Sequence, residues 1–457
     1  TRRCGTGPRA RRSPLRSTTN CASRRGSTSS GSISSKPAGL AREISSFILL
    51  LLPRNPKDVE FFDRAQTELD EATRLKLVAF GSTRRKATDA SADPQLQALV
   101  ASGCPRACIV AKSSAWQVTE ILGVSLEENL AMIRDSVSWL TAQNMKVMVD
   151  MEHFFDGHKS ESDYSIECCR AAAEAGAEAV VLCDTNGGSM PWEIEEASRI
   201  IMSKVNATVG VHVHNDAGLA VANSMAAVKG GASLVQGTIN GIGERTGNAN
   251  LCTIAANLEL KMSMPTSVEL TQLTSASRFV DELLNRSPSP EAPYVGASAF
   301  AHKGGLHVAA VKKHSKSYEH IEPALVGNQQ RVLVSELSGR ANIWSAIEKG
   351  GLVREETDVP VWQKRATAVL GRVKQLESLG YSFEGANASV HLVLLHASPA
   401  YCPPFTVKDY SVTIADDDLD SMSRAFHIGK RAAKSPPTAR ATIKIKIVGE
   451  DPKLDVA

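Results

Sequence analysis

The chain has 457 residues, of which 42% are hydrophobic and 22% are charged, and its formal net charge at pH 7 is +3. These values are typical of a globular protein and leave room for one large domain with one or two smaller ones. Residues 1–42 contain many Arg and Lys but no Asp or Glu. The remainder is therefore slightly acidic, and we expect no nucleic-acid partner for it.

The apolar runs and the cysteines exclude two further classes of protein. The longest apolar run, from Phe47 to Leu52, is much shorter than the roughly 20 residues that a bilayer span requires. The nine cysteines form no CxxC pair, so neither a zinc ribbon nor a disulfide framework is predicted. We expect reduced thiols, no membrane partner and a soluble intracellular protein, either in the cytoplasm or in a plastid.

From residue 75 onward, short apolar runs alternate with segments of helical periodicity. The six runs are LKLVAFGS (75–82), ACIVAKSS (107–114), KVMVDMEHFF (146–155), AEAVVLCDTNG (177–187), TVGVHVHND (208–216) and LVQGTING (234–241). Apolar strands that alternate with amphipathic helices indicate a parallel sheet covered on both faces. Six such units in a row predict the α/β class and a (β/α)8 TIM barrel, with the chemistry at the carboxyl ends of the strands. Two of the eight strands must then precede residue 75.

The composition changes after residue 262. SRFVDELLNR (277–286) and GRVKQLESLG (371–380) have helical patterns, which predicts a small helical domain over 263–385 after a barrel domain over 55–262. Beyond residue 386, the runs ASVHLVLLHA, TVKDYSVTIA and ARATIKIKIVGE alternate like strands. They predict a third, α+β domain over 386–457 that is incomplete.

Two histidines stand at the end of the strand VGVHVHND. His212 and His214 are two residues apart, so their side chains point to the same face at the carboxyl end of the strand. A single buried histidine is usually a hydrogen-bonded core residue. A pair followed by Asn215 and Asp216 favours a metal site, because neutral imidazoles and a carboxylate or amide oxygen suit a divalent ion. The next strand ends in the glycine-rich NGIGERTGNAN (240–250), where Asn248 is a candidate oxygen ligand.

Other segments carry candidates for catalysis and substrate binding. Glu152 in VDMEHFFDG is a candidate general acid or base, and Thr185 in LCDTNGG is a candidate hydrogen-bond donor to a carboxylate or carbonyl. Outside the barrel, AFAHKGGLHV supplies His302 and His307, and YEHIEPALVGN supplies Tyr318. A lone histidine or tyrosine in a helical domain is usually structural, so a role for these three depends on further evidence.

Together these motifs resemble the metal-dependent barrel enzymes that condense acetyl-CoA with a 2-oxo acid, namely the 2-isopropylmalate, homocitrate and citramalate synthases. HVHND followed at this distance by GERTGNANL is the most specific pair. FGSTRRK, EHFFDG, CDTNGG, YVGASAFAHKGG and VSELSGR look most like the citramalate synthase branch. The likeness runs from Asn55 to about Ser389 and continues more weakly to the end.

The resemblance implies a metal site and a substrate site in the barrel. His212, His214 and Asn248 would bind a divalent metal ion, either Mg, Mn or Zn. Glu152 would be catalytic and Thr185 would bind substrate, both contacting the 2-oxo acid or the acetyl group of the co-substrate acetyl-CoA.

The resemblance also implies contributions from outside the barrel. His307 and Tyr318 would be catalytic and would reach an active site from the second domain, in this family usually the site of the partner subunit, so a homodimer is implied. Residues 386–457 resemble the start of the family's regulatory domain, which binds the amino-acid end product. One departure is Gln117, where the branch commonly has histidine before VTE.

The predicted reaction is the condensation of acetyl-CoA with pyruvate, which gives citramalate and CoA for isoleucine biosynthesis. Within the family, the alternatives are a 2-isopropylmalate synthase, which uses 2-oxoisovalerate for leucine biosynthesis, and an enzyme that uses 2-oxoglutarate. A carbon–carbon lyase on the same scaffold is a further alternative. A non-catalytic paralogue that keeps the fold for binding or regulation is the alternative from a different class.

Residues 1–54 lack a motif that the resemblance implies. In the family, the first strand ends in TLRDG, whose Asp binds the metal and whose Arg stabilises the developing oxyanion, and no such motif occurs in this sequence. One interpretation takes residues 1–42 as a transit peptide, because they are rich in Arg and Ser and free of acidic residues. That interpretation does not account for the two missing strands.

The genetic code offers a second interpretation of this segment. Read out of frame, residues 1–9 permit TTLRDGTQ, and residues 35–42 permit EAGWPGS, which in the family runs directly into NPKD (55–58). The intervening EISSFILLLLPR (43–54) is compatible with the pyrimidine-rich end of an intron. We therefore predict that residues 1–42 are a frame-shifted exon and residues 43–54 translated intron. We also predict that residues 1–54 do not pack as native barrel strands, and that the chain carrying them is inactive.

Overall fold

The computed structural model describes residues 48–50, 56–352, 359–398, 401–403, 405–415 and 438–447. The described residues form two compact units. The first lies within residues 1–302 and 310–331, and the second lies within residues 303–309 and 332–457.

The first unit is built on a sheet of seven parallel strands that neighbour one another in chain order. The strands are β1 (Ile48–Leu50), β2 (Leu77–Ser82), β3 (Arg106–Lys112), β4 (Lys146–Glu152), β5 (Ala179–Asp184), β6 (Thr208–Val213) and β7 (Leu234–Gln236). All six strands predicted after residue 75 are confirmed. Parallel neighbours in sequential order, joined through helices, are the arrangement of a (β/α) barrel, so the predicted fold class is confirmed.

Helices connect these strands along the chain. They are α1 (Pro56–Glu68), α2 (Glu71–Arg74), α3 (Pro94–Ala101), α4 (Leu126–Ala142), α5 (Phe154–Ser160), α6 (Ser162–Glu174), α7 (Pro191–Lys204) and α8 (Ala220–Lys229). A side-chain cap defines the start of α4, where Ser125 accepts a hydrogen bond from the backbone N–H of Glu128 at 3.1 Å. A π-helical turn, Gln117–Leu122, precedes α4 and begins at the residue that departs from the citramalate synthase pattern.

The strands β2 to β5 separate two apolar cores, because alternate side chains point to opposite faces of the sheet. On β4, Val147, Val149 and Met151 pack in the larger core, which lies between the sheet and the helices. Met148 faces the opposite way and belongs to a smaller core inside the barrel. That inner core also contains Val78, Cys108, Ala179, Val181 and Leu234.

The first strand corrects one prediction. β1 pairs in parallel with β2, with Ile48 opposite Leu77 and Leu50 opposite Ala79, so the expectation that residues 1–54 do not pack as barrel strands is wrong for these three residues. An apolar run can pair with the exposed backbone edge of β2 whatever the origin of its codons. The rest of that segment, residues 1–47 and 51–54, lies outside the described residues.

After β7 the chain continues with α9 (Leu251–Leu260), α10 (Leu273–Leu283), β8 (Ala301–His302), α11 (Gly305–Lys313) and β9 (Arg331–Val332). In the first unit, α9 and α10 share a separate apolar cluster that includes Cys252, Leu273, Tyr294, Phe300 and Val326. The helix predicted around 277–286 is confirmed as α10.

Beyond residue 332 the second unit is helical and ends in a hairpin. Its helices are α12 (Arg340–Lys349), α13 (Val359–Ser378) and α14 (Asn387–His396), and an antiparallel pair follows, β10 (Phe405–Ala415) and β11 (Thr438–Ile447). The helix predicted at 371–380 and the last two strand-like runs are confirmed.

The remaining strand-like run, ASVHLVLLHA (388–397), is a helix, so that prediction is wrong. Val390 and Leu394 are four residues apart, only 6% and 1% exposed, and they pack in one core with Val369 and Val373 of α13. Burial at a spacing of four residues is the pattern of a helix face. A short apolar run does not by itself distinguish a buried helix from a buried strand.

None of the described helices has the length and apolar character needed to cross a bilayer. The seven cysteines in the described ranges are free thiols, and six of them are buried. The domain boundaries at residues 54, 262 and 385 stay predictions.

Candidate active site at the mouth of the barrel

The inward face of the strands becomes polar toward their carboxyl ends. On β4 it runs from Met148 through Asp150 to Glu152, and on β6 it runs through His212 to His214, just beyond the strand. The apolar residues of the outward face fix this register, because a slip of one residue would turn them into the barrel and these polar side chains into the outer core. The mouth of the barrel therefore gathers titratable side chains from more than one strand.

The two histidines predicted as metal ligands lie side by side. Their ring centroids are 5.3 Å apart and their planes are tilted by 44°. Nδ1 of His212 lies 2.7 Å from Oε1 of Gln236 on the neighbouring strand β7, so Nε2 is the His212 atom that could bind the predicted metal ion. Nδ1 of His214 is buried and has no hydrogen-bond partner in the described part of the chain.

The loop after β7 brings Asn248 to these histidines. His214 and Asn248 form an isolated antiparallel bridge. The loop turns at Gly247, where φ is +108° and an added Cβ would lie 2.0 Å from the carbonyl oxygen of Gly241, so only glycine fits. Asn248 donates its Nδ2 to the carbonyl of Ile242 at 3.4 Å, while its buried Oδ1 has no partner among the described residues.

The chemistry of these atoms fits a divalent metal ion. Nδ1 of His214 and Oδ1 of Asn248 are buried without partners, and imidazole nitrogen with amide oxygen is a donor set that such ions accept. Burial, with His212 and Arg245 nearby, lowers the pKa of His214 to about 4, so the imidazole is neutral at pH 7 as a ligand must be. Across the described ranges, no group of three or more His, Cys, Asp or Glu side chains is arranged to hold a metal. The ligand set stays a prediction.

Glu152 lies at the same mouth and pairs with Lys112. The two residues are opposite each other at the ends of β3 and β4, and Nζ of Lys112 forms an ion pair with Oε2 of Glu152. Their side chains are 21% and 29% exposed, so a ligand can reach both. The pair offers a cation for an anionic substrate beside a carboxylate that can exchange a proton.

Thr185 begins the loop after β5. Its Oγ1 accepts a hydrogen bond from the backbone N–H of His153 at 2.8 Å. The hydroxyl group can also donate one hydrogen bond. His153 has a φ of +59°, and its Nδ1 lies 3.2 Å from Oδ2 of Asp156. A non-glycine residue held in the left-handed region by specific hydrogen bonds is typical of a functional site.

The two catalytic residues predicted outside the barrel lie in different units. His307 is exposed on α11 in the second unit, and Tyr318 is 51% exposed in the first unit. Next to Tyr318, Glu319 is buried and its Oε1 lies 3.0 Å from Nε2 of His302, so His302 has a structural contact. The catalytic roles of His307 and Tyr318 stay predictions.

Several residues that support this site are not among the site residues predicted from the sequence. Lys112, Asp150 and Gln236 occupy inward positions, and the two-residue alternation of their strands was the signal that could have found them. Arg245 forms two hydrogen bonds with Asp216, 29 residues earlier in the chain. No local sequence pattern indicates that contact.

Two protein families match the chain. Residues 53–280 match the HMGL-like family. Residues 294–377 match the homocitrate synthase post-HMGL domain-like family. The first match begins close to Asn55, where the sequence resemblance was placed.

Curated relatives match most of the chain. The (R)-citramalate synthase of Geobacter sulfurreducens is 44% identical over 398 residues, which cover 87% of this chain and 71% of that protein. The (R)-citramalate synthase of Aquifex aeolicus is 42% identical over 398 residues, with coverage of 86% and 71%. A probable 2-isopropylmalate synthase of Methanopyrus kandleri is 35% identical over 259 residues, with coverage of 57% and 50%.

Proposed function

The chain belongs to the citramalate synthase branch of the HMGL-like family, and we propose that it condenses acetyl-CoA with pyruvate to give citramalate and CoA. The observation that carries the proposal is the convergence of His212, His214 and Asn248 at the barrel mouth. Two of their side-chain atoms, Nδ1 of His214 and Oδ1 of Asn248, are buried and have no hydrogen-bond partner among the described residues. Citramalate formation is a step toward isoleucine in the biosynthesis of branched-chain amino acids.

The chain's own residues would bind and orient the 2-oxo acid. A divalent ion held by His212, His214 and Asn248 would supply Lewis acidity at the carbonyl group of the 2-oxo acid. Gln236 orients His212, and the low pKa of His214 keeps its imidazole neutral. The hydroxyl of Thr185 would donate a hydrogen bond to the substrate's carboxylate or carbonyl, which fixes its orientation.

Glu152 is the barrel's candidate for proton transfer. The reaction removes a proton from the methyl group of acetyl-CoA, joins that carbon to the carbonyl carbon of pyruvate, and hydrolyses the thioester with one water to release CoA. Lys112 holds the Glu152 carboxylate at the mouth, where it can accept or return a proton. His307 and Tyr318 are the other candidates, and in a homodimer they would reach the partner's site.

Pyruvate is favoured over a larger 2-oxo acid because the citramalate synthases align over more of their length, and at higher identity, than the 2-isopropylmalate synthase does. The citramalate synthase of Geobacter sulfurreducens aligns over 71% of its length at 44% identity, against 50% at 35% identity for the 2-isopropylmalate synthase. CoA release with pyruvate, 2-oxoisovalerate and 2-oxoglutarate separates the alternatives. We expect the highest kcat/KM with pyruvate. Preference for 2-oxoisovalerate would identify a 2-isopropylmalate synthase, and no release with any of them would favour a non-catalytic paralogue.

The protein used in that assay must be chosen with residues 1–54 in mind. Sequencing the cDNA across the codons for residues 1–60 establishes whether the transcript encodes TTLRDG and then EAGWPGS followed directly by NPKD. The transcript-encoded protein and the 457-residue chain are then assayed side by side. We expect CoA release from the former and none from the latter, because residues 1–54 as written contain no Arg-Asp pair. A transcript that encodes residues 1–54 as written would instead favour the non-catalytic paralogue.

A further inference from the structure

We propose that Asp150 and Gln236 act together as positioning residues that set the tautomer of His212, with the proton on Nδ1 and the lone pair on Nε2. This inference deepens the proposed function and rests on it only for the purpose that the tautomer serves. Neither residue is one of the proposed metal ligands or groups that contact substrate.

A continuous chain of hydrogen bonds links the three residues across the inside of the barrel. His212 on β6 and Gln236 on β7 are paired neighbours in the sheet, and Nδ1 of His212 lies 2.7 Å from Oε1 of Gln236. Nε2 of Gln236 donates to Oδ1 of Asp150 on β4 at 2.8 Å. The thiol of Cys108 on β3 donates to the same Oδ1 at 3.0 Å.

The donor and acceptor capacities of these groups give the chain one direction. A carboxylate only accepts hydrogen bonds, so Asp150 turns the NH2 end of the Gln236 amide toward itself. The oxygen end then faces His212, and because an amide oxygen also only accepts, Nδ1 of His212 must carry the hydrogen. A neutral imidazole has one N–H, so Nε2 keeps the lone pair that a metal ion needs.

Burial of Asp150 does not reverse this direction. Burial raises the pKa of the Asp150 carboxyl, whereas His212, Cys108 and Gln236 lower it. Two donors, the Cys108 thiol and the Gln236 amide, converge on Oδ1. Oδ1 accepts both bonds whether or not a proton sits on the other carboxyl oxygen. Cys108 keeps its thiol proton, because burial raises its pKa well above the usual range.

A glutamine is suited to position 236 by the same reasoning. An apolar residue would leave Nδ1 of His212 without its acceptor and would remove a donor from Asp150 inside the barrel, where unpaired polar atoms are costly. A glutamate would set a second carboxylate against Asp150. The amide is neutral, donates at one end and accepts at the other, which is what this gap between an acid and an imidazole requires.

The test measures the tautomer directly in the metal-free 457-residue chain. Long-range ¹H–¹⁵N correlation spectra of histidine-labelled protein distinguish Nδ1–H from Nε2–H imidazoles, and loss of a signal in His212→Phe assigns His212. We expect the Nδ1–H form in the wild type. Gln236→Met, which removes both hydrogen bonds at similar volume, should shift His212 toward the Nε2–H form and weaken Mn²⁺ binding by about 10–100-fold. Gln66→Met is the matched control, because Gln66 is a part-buried glutamine bonded to the Ser102 carbonyl.

Either of two results would overturn the proposal: an Nε2–H form of His212 in the wild type, or an unchanged tautomer in Gln236→Met. The wild-type spectrum decides the matter even if Gln236→Met does not fold. Because the readout is taken without metal or turnover, a failure of the proposed reaction would leave the tautomer result intact, and the two failures are distinguishable.

Discussion

Arg245 holds Asp216 through two parallel hydrogen bonds, from Nε to Oδ1 at 2.7 Å and from Nη2 to Oδ2 at 2.9 Å. Nη2 also donates to the backbone carbonyl of Thr185 at 2.7 Å. One guanidinium thus ties together the loops after β5, β6 and β7, which carry Thr185, His214 and Asn248. Arg245 itself has a φ of +53°, so the loop accepts backbone strain at the residue that makes these contacts.

Replacing this guanidinium should disturb metal binding more than stability. Arg245→Lys keeps the charge but loses the planar fork, so we expect Mn²⁺ affinity to fall several-fold as Asn248 loses its fixed position. The pair is partly exposed, so the free energy of unfolding should change by less than about 1 kcal/mol. Arg199→Lys, at an exposed ion pair with Glu195 on α7, is the control. Equal Mn²⁺ affinities in the two variants would contradict the role assigned to Arg245.

The turn that presents Asn248 should tolerate no side chain at Gly247. Gly247→Ala would place a Cβ 2.0 Å from the carbonyl oxygen of Gly241. Gly218→Ala also has a positive φ, of +75°, but meets nothing within 4 Å. Because the backbone strain is common to both variants and only the first adds a steric clash, the first should lower the free energy of unfolding by roughly 1–3 kcal/mol more than the second. Urea denaturation measures this difference. Equal losses of unfolding free energy in the two variants would show that the loop accommodates the added Cβ at no cost in stability.

Lys112 is predicted to matter for catalysis because it pairs with Glu152. Lys112→Met removes the cation beside the carboxylate, and we expect kcat/KM for pyruvate to fall at least about tenfold, or about 1.4 kcal/mol of transition-state stabilisation. Lys112→Arg retains the charge and should keep more of the activity. CoA release by the transcript-encoded protein is the measurement. An unchanged kcat/KM in Lys112→Met would mean that the ion pair is structural.

His158 should make the folded state sensitive to mild acid. Burial lowers the pKa of His158 from its ordinary value near 6.5, and its ring stacks on Phe154 at 5.4 Å between centroids. The unfolded chain therefore binds this proton at a higher pH than the folded chain does. The stability contribution is complete above about pH 6.5 and declines as the pH falls toward the folded pKa. Denaturation of wild type and His158→Gln between pH 5 and 7 should give a smaller pH slope for the variant, and identical slopes would exclude this source of acid sensitivity.

The predictable part of the fold was the part encoded in local periodicity. Strands such as β4 and β6, with apolar residues on the outward face and Glu152 or His212 on the inward face, were readable because a two-residue alternation reports burial directly. The segment at 388–397 was misread because its short apolar run fits both a strand and a helix. Only the packing of Val390 and Leu394 against α13 decides between them.

The site was predictable where its residues stand at strand ends and not where contacts cross the barrel. His212, His214 and Glu152 carry a positional signal. Asp150 and Gln236 have no sequence pattern that links them, since their contact joins strands 86 residues apart. Such contacts depend on barrel geometry, which a single sequence does not contain.

Binding of Mn²⁺ to the 457-residue chain tests the metal site most directly. Electron paramagnetic resonance measures free Mn²⁺ in titrations of the wild type and of the double variant His212→Ala, His214→Ala, and thermal unfolding verifies that both are folded. We predict about one site per chain in the wild type and its loss in the double variant with an unchanged unfolding transition. Equal binding by the two folded proteins would contradict the assignment of His212 and His214 as the arms of a metal site.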